Sequence, residues 1–479
     1  MPRYLPLALA SALAACAPSQ SHLATPSLPD ELAASRTFAD GTGEWPRDQW
    51  WRAYGDPQLD SLIEEARAAS PDVARAMARV RQAEALARQV SATLLPSVTA
   101  DGSAGLVKQS YNNGIPAAFV PRGWNTSGTL TAGAQFDPDL WGRNRAALAA
   151  ARSEAEAAAV DAEQARLLLS TEIAAAYADL ARLEAEGAIA ARAVEIRGST
   201  LDLIQQRVSS GLDNRGTEEL ARSRAAGARA ELAATKEAIA LTRNRIAALV
   251  GEGPDRALDI QPPQITDILP REVPERLALD LVGRRPDIVS ARLRAEAAVS
   301  RIRGARAAFY PNINIAALFG LQSLGLSNLV DSGSTVGSVG PALSLPLFNR
   351  EALVGSLRST EAQSDIAVAD YDATLIGALR EVADAATSLE ALQTRRAEAG
   401  EALEAAEQAY DIARQRYDGG LATYLDVLTA EDTVLDRRRI ATELDARAFT
   451  LDVALVRALG GGFSDSSLSS RSAQGDRDG

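Results

Sequence analysis

The chain predicts a mainly α-helical fold, internally duplicated, with two long helical hairpins and four short β-strands. Three observations carry this. First, the sequence repeats itself: Pro71-Asp72 and Leu95-Pro96 recur as Pro286-Asp287 and Tyr310-Pro311, both 215 residues on. Leu140-Trp141-Gly142-Arg143 recurs as Leu347-Phe348-Asn349-Arg350, Glu172-Ile173 as Glu381-Val382, and Arg207-x-x-x-Gly211-Leu212 as Arg416-x-x-x-Gly420-Leu421. Second, proline is absent from Asp139 through Gly253 and from Leu347 to the end, and both stretches are dense in Ala, Glu, Arg, Leu and Gln. Proline costs about 3 kcal/mol inside a helix, so its absence over such lengths is informative. Third, four segments alternate apolar and polar residues strictly, as half-buried strands do.

Taken in order, the N-terminus reads as a secretory signal over 1–15: Arg3, then the apolar run Leu5 to Ala15, which is too short to span a bilayer as a helix. Leu13-Ala14-Ala15-Cys16 resembles a bacterial lipobox, in which Cys16 becomes the lipidated first residue of the mature chain. The alternative is an ordinary cleaved signal with an incidental cysteine. Signals of this kind send proteins to the outer membrane unless Asp follows the Cys; here Ala17 and Pro18 follow. Residues 16–44, rich in Pro, Ser, Ala and Thr, read as an extended tether, and His22 within it as a solvated loop histidine. The first repeat is expected over 45–260 and the second over 261–460. The segment 461–479, Gly, Ser, Asp and Arg, reads as a disordered tail.

Composition narrows function. One Cys and one His among 479 residues remove disulfides, most zinc sites and every Ser/His or Cys/His catalytic arrangement; no cofactor or metal is expected. A net charge of −13 with no Lys/Arg stripe argues against nucleic acid. Among 63 acidic residues no carboxylate pair stands out, so no enzyme is expected.

Each proline-free stretch breaks once at glycine, at Ser209–Asn214 and at Asp418-Gly419-Gly420, giving two αα-hairpins over about 142–250 and 350–458. The incoming arms, about 68 residues each, would be near 100 Å long at about 1.5 Å per residue. Leu169, Ile173, Ala176, Leu180 and Leu183 step by 4 and 3, and so do Leu375, Leu379, Val382, Ala386 and Leu389, which predicts helix-on-helix packing.

The strands fall in two hairpins, about 97–137 and 312–347, with outer loops near 108–126 and 322–336. The sets on their apolar side are Val98, Ala100, Gly102, Ala104, Leu106; Leu130, Ala132, Ala134, Phe136; Ile313, Ile315, Ala317, Phe319, Leu321; and Val339, Pro341, Leu343, Leu345, Leu347. Each is about as long as a tilted strand needs to cross a bilayer. A membrane sheet must close, because backbone polar groups cannot be left unpaired in hydrocarbon. One chain offers four strands and the smallest membrane barrels have about eight, so copies must join: two give eight strands, three give twelve. A lumen wide enough for solute favours three.

The chain resembles the TolC-like outer-membrane efflux factors, in the lipoprotein branch often called the NodT type. The residues that carry the likeness are Trp50-Trp51-x-x-Tyr54-Gly55-Asp56-Pro57, Ser70-Pro71-Asp72, Arg79-Val80-Arg81-Gln82-Ala83, Arg284-Arg285-Pro286-Asp287-Ile288 and Tyr417-Asp418-Gly419-Gly420-Leu421-x-x-Tyr424-Leu425-Asp426. The resemblance implies a homotrimer with a 12-stranded outer-membrane β-barrel continuous with a periplasmic α-helical barrel. Short helices from segments such as 57–68 and 275–282 would wrap the helical barrel as a band. It further implies a passive exit duct of a tripartite system, docked to a periplasmic membrane-fusion adaptor and an inner-membrane pump of the resistance–nodulation–division (RND) class. By this resemblance Arg207, Gly211, Leu212, Arg416, Gly420 and Leu421 form the adaptor-docking turns. Asp426 lines a periplasmic gate, Tyr417 helps to hold it shut, and Thr217 and Glu218 occupy the region of a latch acceptor. The sequence departs at Ala422, where some members carry a latching arginine, and at Thr429, where some carry a second aspartate. Competing readings are the duct of a type I protein secretion system and a periplasmic coiled-coil structural lipoprotein. A solvent-facing aspartate at a helix start is the plainer reading of Asp426.

Overall fold

The computed structural model describes residues 23–27, 43–112, 114–116, 118–265, 271, 273–274, 277–345 and 348–465. Cys16 and His22 lie outside the described residues. Among the described residues the element order is α1 (Pro57–Ala69), α2 (Pro71–Ser91), β1 (Ser97–Val107), β2 (Asn125–Phe136), α3 (Arg143–Ser209), α4 (Arg215–Val250), α5 (Leu277–Arg284), α6 (Pro286–Ala307), β3 (Asn312–Leu324), β4 (Thr335–Ser344), α7 (Arg350–Asp418) and α8 (Tyr424–Ala458). The order α-α-β-β-α-α is written twice, as the repeat predicts. No described helix is long and apolar enough to cross a membrane. The chain divides into two compact units: Met1–Pro26, Arg79–Ala158 and Ala291–Tyr371 in one, and Ser27–Ala78, Ala159–Ser290 and Asp372–Gly479 in the other.

The first unit holds the sheet, an antiparallel meander in the order β1-β2-β3-β4. Its register places Ala100 beside Ala132, Ala132 beside Phe319, and Ala317 beside Val339. Period-2 alternation then collects Val98, Leu130, Phe319, Val339 and Leu343 on one face. Ser97, Thr99, Thr131, Gln135, Gln322 and Ser338 fall on the other. β1 and β4 are the edges, and both present unpaired backbone groups. β4 corrects the expected fourth strand: it starts at Thr335 and ends at Ser344, so Leu345 is not paired, while Leu347 lies outside the described residues. Pro341 lies in β4, which within one chain is an edge strand. The outer loops are correspondingly 108–124 and 325–334.

At the strand-to-helix junction Asp139, at φ +52°, caps α3: its carboxylate accepts from the N–H groups of Asn144 and Arg145, each at 2.9 Å. Trp141 stacks on Tyr310 with ring centroids 4.7 Å apart and donates its indole N–H to the Pro311 carbonyl at 2.7 Å. Leu23 packs on Ile302, Phe309 and Leu357, and the Ala24 N–H donates to Asp365 at 2.9 Å, so this part of the tether is docked on helix.

The second unit is built on the predicted stripe. Leu169, Ile173, Ala176, Leu180 and Leu183 are all buried, and most pack with Leu59, Leu62, Ile63, Trp50 and Trp51. The stripe on α7 is corrected by one position. The buried residues are Leu375, Ala378, Val382, Ala385 and Leu389, not Leu379 and Ala386, which are half-buried. Alanine stands at several phases there, and the packing partner selects the phase.

Asp56 fixes the start of α1. Its carboxylate accepts from the N–H groups of Gln58 (2.9 Å) and Gln264 (2.9 Å) and from the Tyr177 hydroxyl (2.7 Å), with the Leu59 N–H at 3.4 Å. Arg285 is buried and bridges Asp287 at 2.6 Å, Glu381 at 2.8 Å and the Ala458 carbonyl at 3.0 Å. The expected tail boundary is also corrected. Gly460, Gly461 and Gly462 all have positive φ and are packed so closely that a Cβ would run into the Arg284 carbonyl, the Leu167 side chain and the Arg47 carbonyl respectively. Residues 461–465 are half-buried rather than loose.

Candidate functional site

The two glycine turns form the candidate site, and both lie in the second unit. In the first, Gly211 takes φ +70° and the Leu212 N–H donates to the Arg207 carbonyl at 2.8 Å. In the second, Gly420 takes φ +72° and the Leu421 N–H donates to the Arg416 carbonyl at 2.8 Å. This is the left-handed C-cap that closes orphan helix carbonyls, and it explains why glycine stands at both places. Leu212 and Leu421, 68% and 75% exposed, sit on the outside of their turns. Arg416 is also exposed.

Each outgoing helix is capped. The Asn214 side chain accepts from the Thr217 N–H at 3.1 Å, which places predicted Thr217 in the first turn of α4. Glu218 accepts from Arg222 at 2.9 Å one turn further on and from Gln205 of α3 at 3.5 Å. Asp426 closes a capping box: one carboxylate oxygen accepts from the Thr423 N–H and hydroxyl, each at 2.8 Å. Those two bonds hold its pKa below the usual carboxylate range, the Thr423 hydroxyl contributing most. Within one chain, then, Asp426 is an exposed helix-start aspartate.

A cleft of about 520 Å³ separates the two turns, lined by Arg207, Asp213, Leu220, Tyr417, Tyr424 and Leu428 among others. The Arg207 guanidinium lies 5.7 Å over the Tyr417 ring, whose centroid is 5.9 Å from that of Tyr424. Among the described residues the buried Tyr417 hydroxyl has no hydrogen-bond partner. Burial pushes the Tyr424 hydroxyl up to about 12.

Two residues named as departures, Ala422 and Thr429, carry no charge. The structure supplies an ion cluster about two turns into α8 that the sequence reading missed. Arg197 of α3 bridges Glu431 at 3.3 Å and Asp432 at 2.8 Å of α8, and Arg224 of α4 bridges Asp432 at 2.6 Å. Arg439 of α8 pairs with Glu231 of α4. Glu431 is buried, and burial raises its pKa despite Arg197. The adjacent acids Glu431-Asp432, on a helix whose other acids are isolated or solvent-facing, are the only signal that could have pointed there.

A duplicated chain whose two long hairpins end in matching turns, and whose four strands form one two-faced sheet, has the make-up of an outer-membrane efflux channel. The family model "outer membrane efflux protein" matches residues 62–252 and 278–461, and the chain belongs to that family. It is 29% identical over 442 residues to the multidrug resistance outer membrane protein MdtP of Escherichia coli K12, covering 91% of this chain and 90% of that one. To the fusaric acid resistance protein FusA of Burkholderia cepacia it is 34% identical over 340 residues, covering 69% and 63%. The crystal structure of the outer membrane protein VceC of Vibrio cholerae superposes with a TM-score of 0.83 at 46% identity, covering 88% of this chain and 100% of that one. The Campylobacter jejuni CmeC outer membrane channel, at 21% identity and a TM-score of 0.86, shares the fold. The helical-tunnel-plus-β fold, the outer-membrane location and the efflux role expected from sequence are all borne out.

Proposed function

We propose that this chain is one of three copies forming the passive outer-membrane exit duct of a tripartite efflux system. A periplasmic adaptor and an inner-membrane pump, of the RND class, would feed it small molecules. The observation that carries this is the sheet: four strands, two unpaired edges, one apolar face and one polar face. In hydrocarbon such a sheet must close on copies of itself, β1 of one against β4 of the next, and three copies give twelve strands. Efflux channels are not enzymes, and the energy would come from the pump. Mass measurement of the detergent-solubilised protein tests the trimer. A monomer that stays water-soluble once its anchor is clipped would end the reading.

In that assembly Arg207, Gly211, Leu212, Arg416, Gly420 and Leu421 present the adaptor-docking surface, supported by the exposed leucines at both turns. Asp426, with Tyr417, Thr217 and Glu218 nearby, lines the periplasmic gate, and three copies of Asp426 about one axis would attract cations. Single-channel recording of Asp426→Ala tests this; unchanged conductance and cation preference would refute it. Clamping of α8 to the first hairpin falls to Arg197 and Arg224 with Glu431 and Asp432, in place of the latch that Ala422 cannot make. Acylation of Cys16 is checked by intact mass against Cys16→Ser.

A further inference from the structure

Asp101 is the one ionisable residue in the four strands. It lies mid-strand in β1, exposed, and on the polar face: Ser97, Thr99, Ser103 and Gly105 share its side of β1. The register carries this row across the sheet through Thr131, Gly320 and Val336. None of these can neutralise a carboxylate, and among the described residues nothing pairs with Asp101. The nearest basic residue along the chain, Lys108, just past the end of β1, is seven residues away, about 23 Å at 3.3 Å per residue. An unpaired charge within a membrane-spanning sheet is costly facing lipid and is retained where it meets water.

We propose that Asp101 lines the barrel lumen and, repeated by the copies of this chain, forms a carboxylate ring that favours cationic over anionic solutes at the final stage of exit. This rests on the trimeric reading above. Twelve strands about 4.8 Å apart and tilted by about 40° put the wall about 12 Å from the axis. An inward carboxylate then sits about 8 Å from the axis, close to the Debye length of about 10 Å at 0.1 M salt. Three such charges, screened at that length in water, favour a univalent cation over an anion at the axis on the order of tenfold, and more at 0.01 M. The ring is distinct from Asp426, which lies at the helical turns.

The test uses the purified full-length protein in planar bilayers under a KCl gradient. Asp101→Asn is expected to lower the K⁺/Cl⁻ permeability ratio several-fold at 0.1 M salt, with a larger drop at 0.01 M. The drop is expected again in an Asp426→Asn background, where the tip carboxylate no longer sets the reversal potential. Asp101→Cys is expected to regain cation preference with a sulfonate-bearing methanethiosulfonate and to lose it with a trimethylammonium one. Pores that conduct normally, yet keep the wild-type ratio in Asp101→Asn and ignore both reagents, overturn the inference alone. A wild-type protein that forms no conducting pore overturns the trimeric reading and the ring with it.

Discussion

Replacing Asp56 by alanine should be among the most damaging single changes in the second unit. Asp56 is 3% exposed, and four donors converge on its carboxylate. Two of them, the Gln58 and Leu59 N–H groups, open α1; loss of an N-cap costs about 0.5–2 kcal/mol. The other two, the Tyr177 hydroxyl and the Gln264 N–H, tie α3 and the inter-repeat linker to that cap. A hydrogen bond to a charged group contributes about 1.5–3 kcal/mol. Tyr177 is fully buried, so its hydroxyl keeps only the Gln58 amide as a partner once Asp56 is gone. These contributions overlap, and the combined loss should be about 3–5 kcal/mol, the range for stripping one partner from a buried charged network. Denaturant unfolding of the detergent-solubilised protein, followed by tryptophan fluorescence, reads this directly because Trp50 and Trp51 sit in the same core. Asp56→Asn keeps one acceptor and should lose less. Tyr177→Phe should cost about 1.5–3 kcal/mol alone and markedly less in the Asp56→Ala background. An Asp56→Ala change within about 0.5 kcal/mol of wild type, as for a surface site, or strict additivity with Tyr177→Phe, would refute the reasoning.

Two further predictions concern stability. Gly460 and Gly420 both have positive φ, but only Gly460 has a backbone carbonyl where a Cβ would sit. Gly420→Ala should therefore cost about 1–2 kcal/mol of left-handed strain, and Gly460→Ala at least about 3 kcal/mol, by the same unfolding measurement; equal costs would contradict the packing. Burial raises the Glu431 pKa above the ordinary carboxylate range, so the folded chain holds that proton to higher pH than the unfolded chain does. Its contribution is full below pH 4.5 and falls as pH rises through the folded pKa. Glu431→Gln should thus be no less stable than wild type at pH 7, with any advantage vanishing below pH 4.5; a deficit at pH 7 would reverse the sign.

The sequence by itself determined the duplicated order of elements, the glycine turns at Gly211 and Gly420, the two faces of the sheet and the buried stripe on α3. Each of these is a local signal: a conformation that glycine adopts easily, a strict period of two, or large apolar residues that step by 4 and 3 along one helix. Tertiary structure alone decided the phase of the α7 stripe, because alanines at adjacent phases bury equally well until a neighbour chooses. It also decided the ordering of Gly460–Asp465, where small and polar residues look loose until the Arg284 and Arg47 backbones close on them. The partners of the Asp56 hub and of the Arg197–Glu431–Asp432–Arg224 cluster could not be matched from sequence, for a related reason. Their members lie up to 235 residues apart, and only folding lowers the local dielectric and brings donor to acceptor.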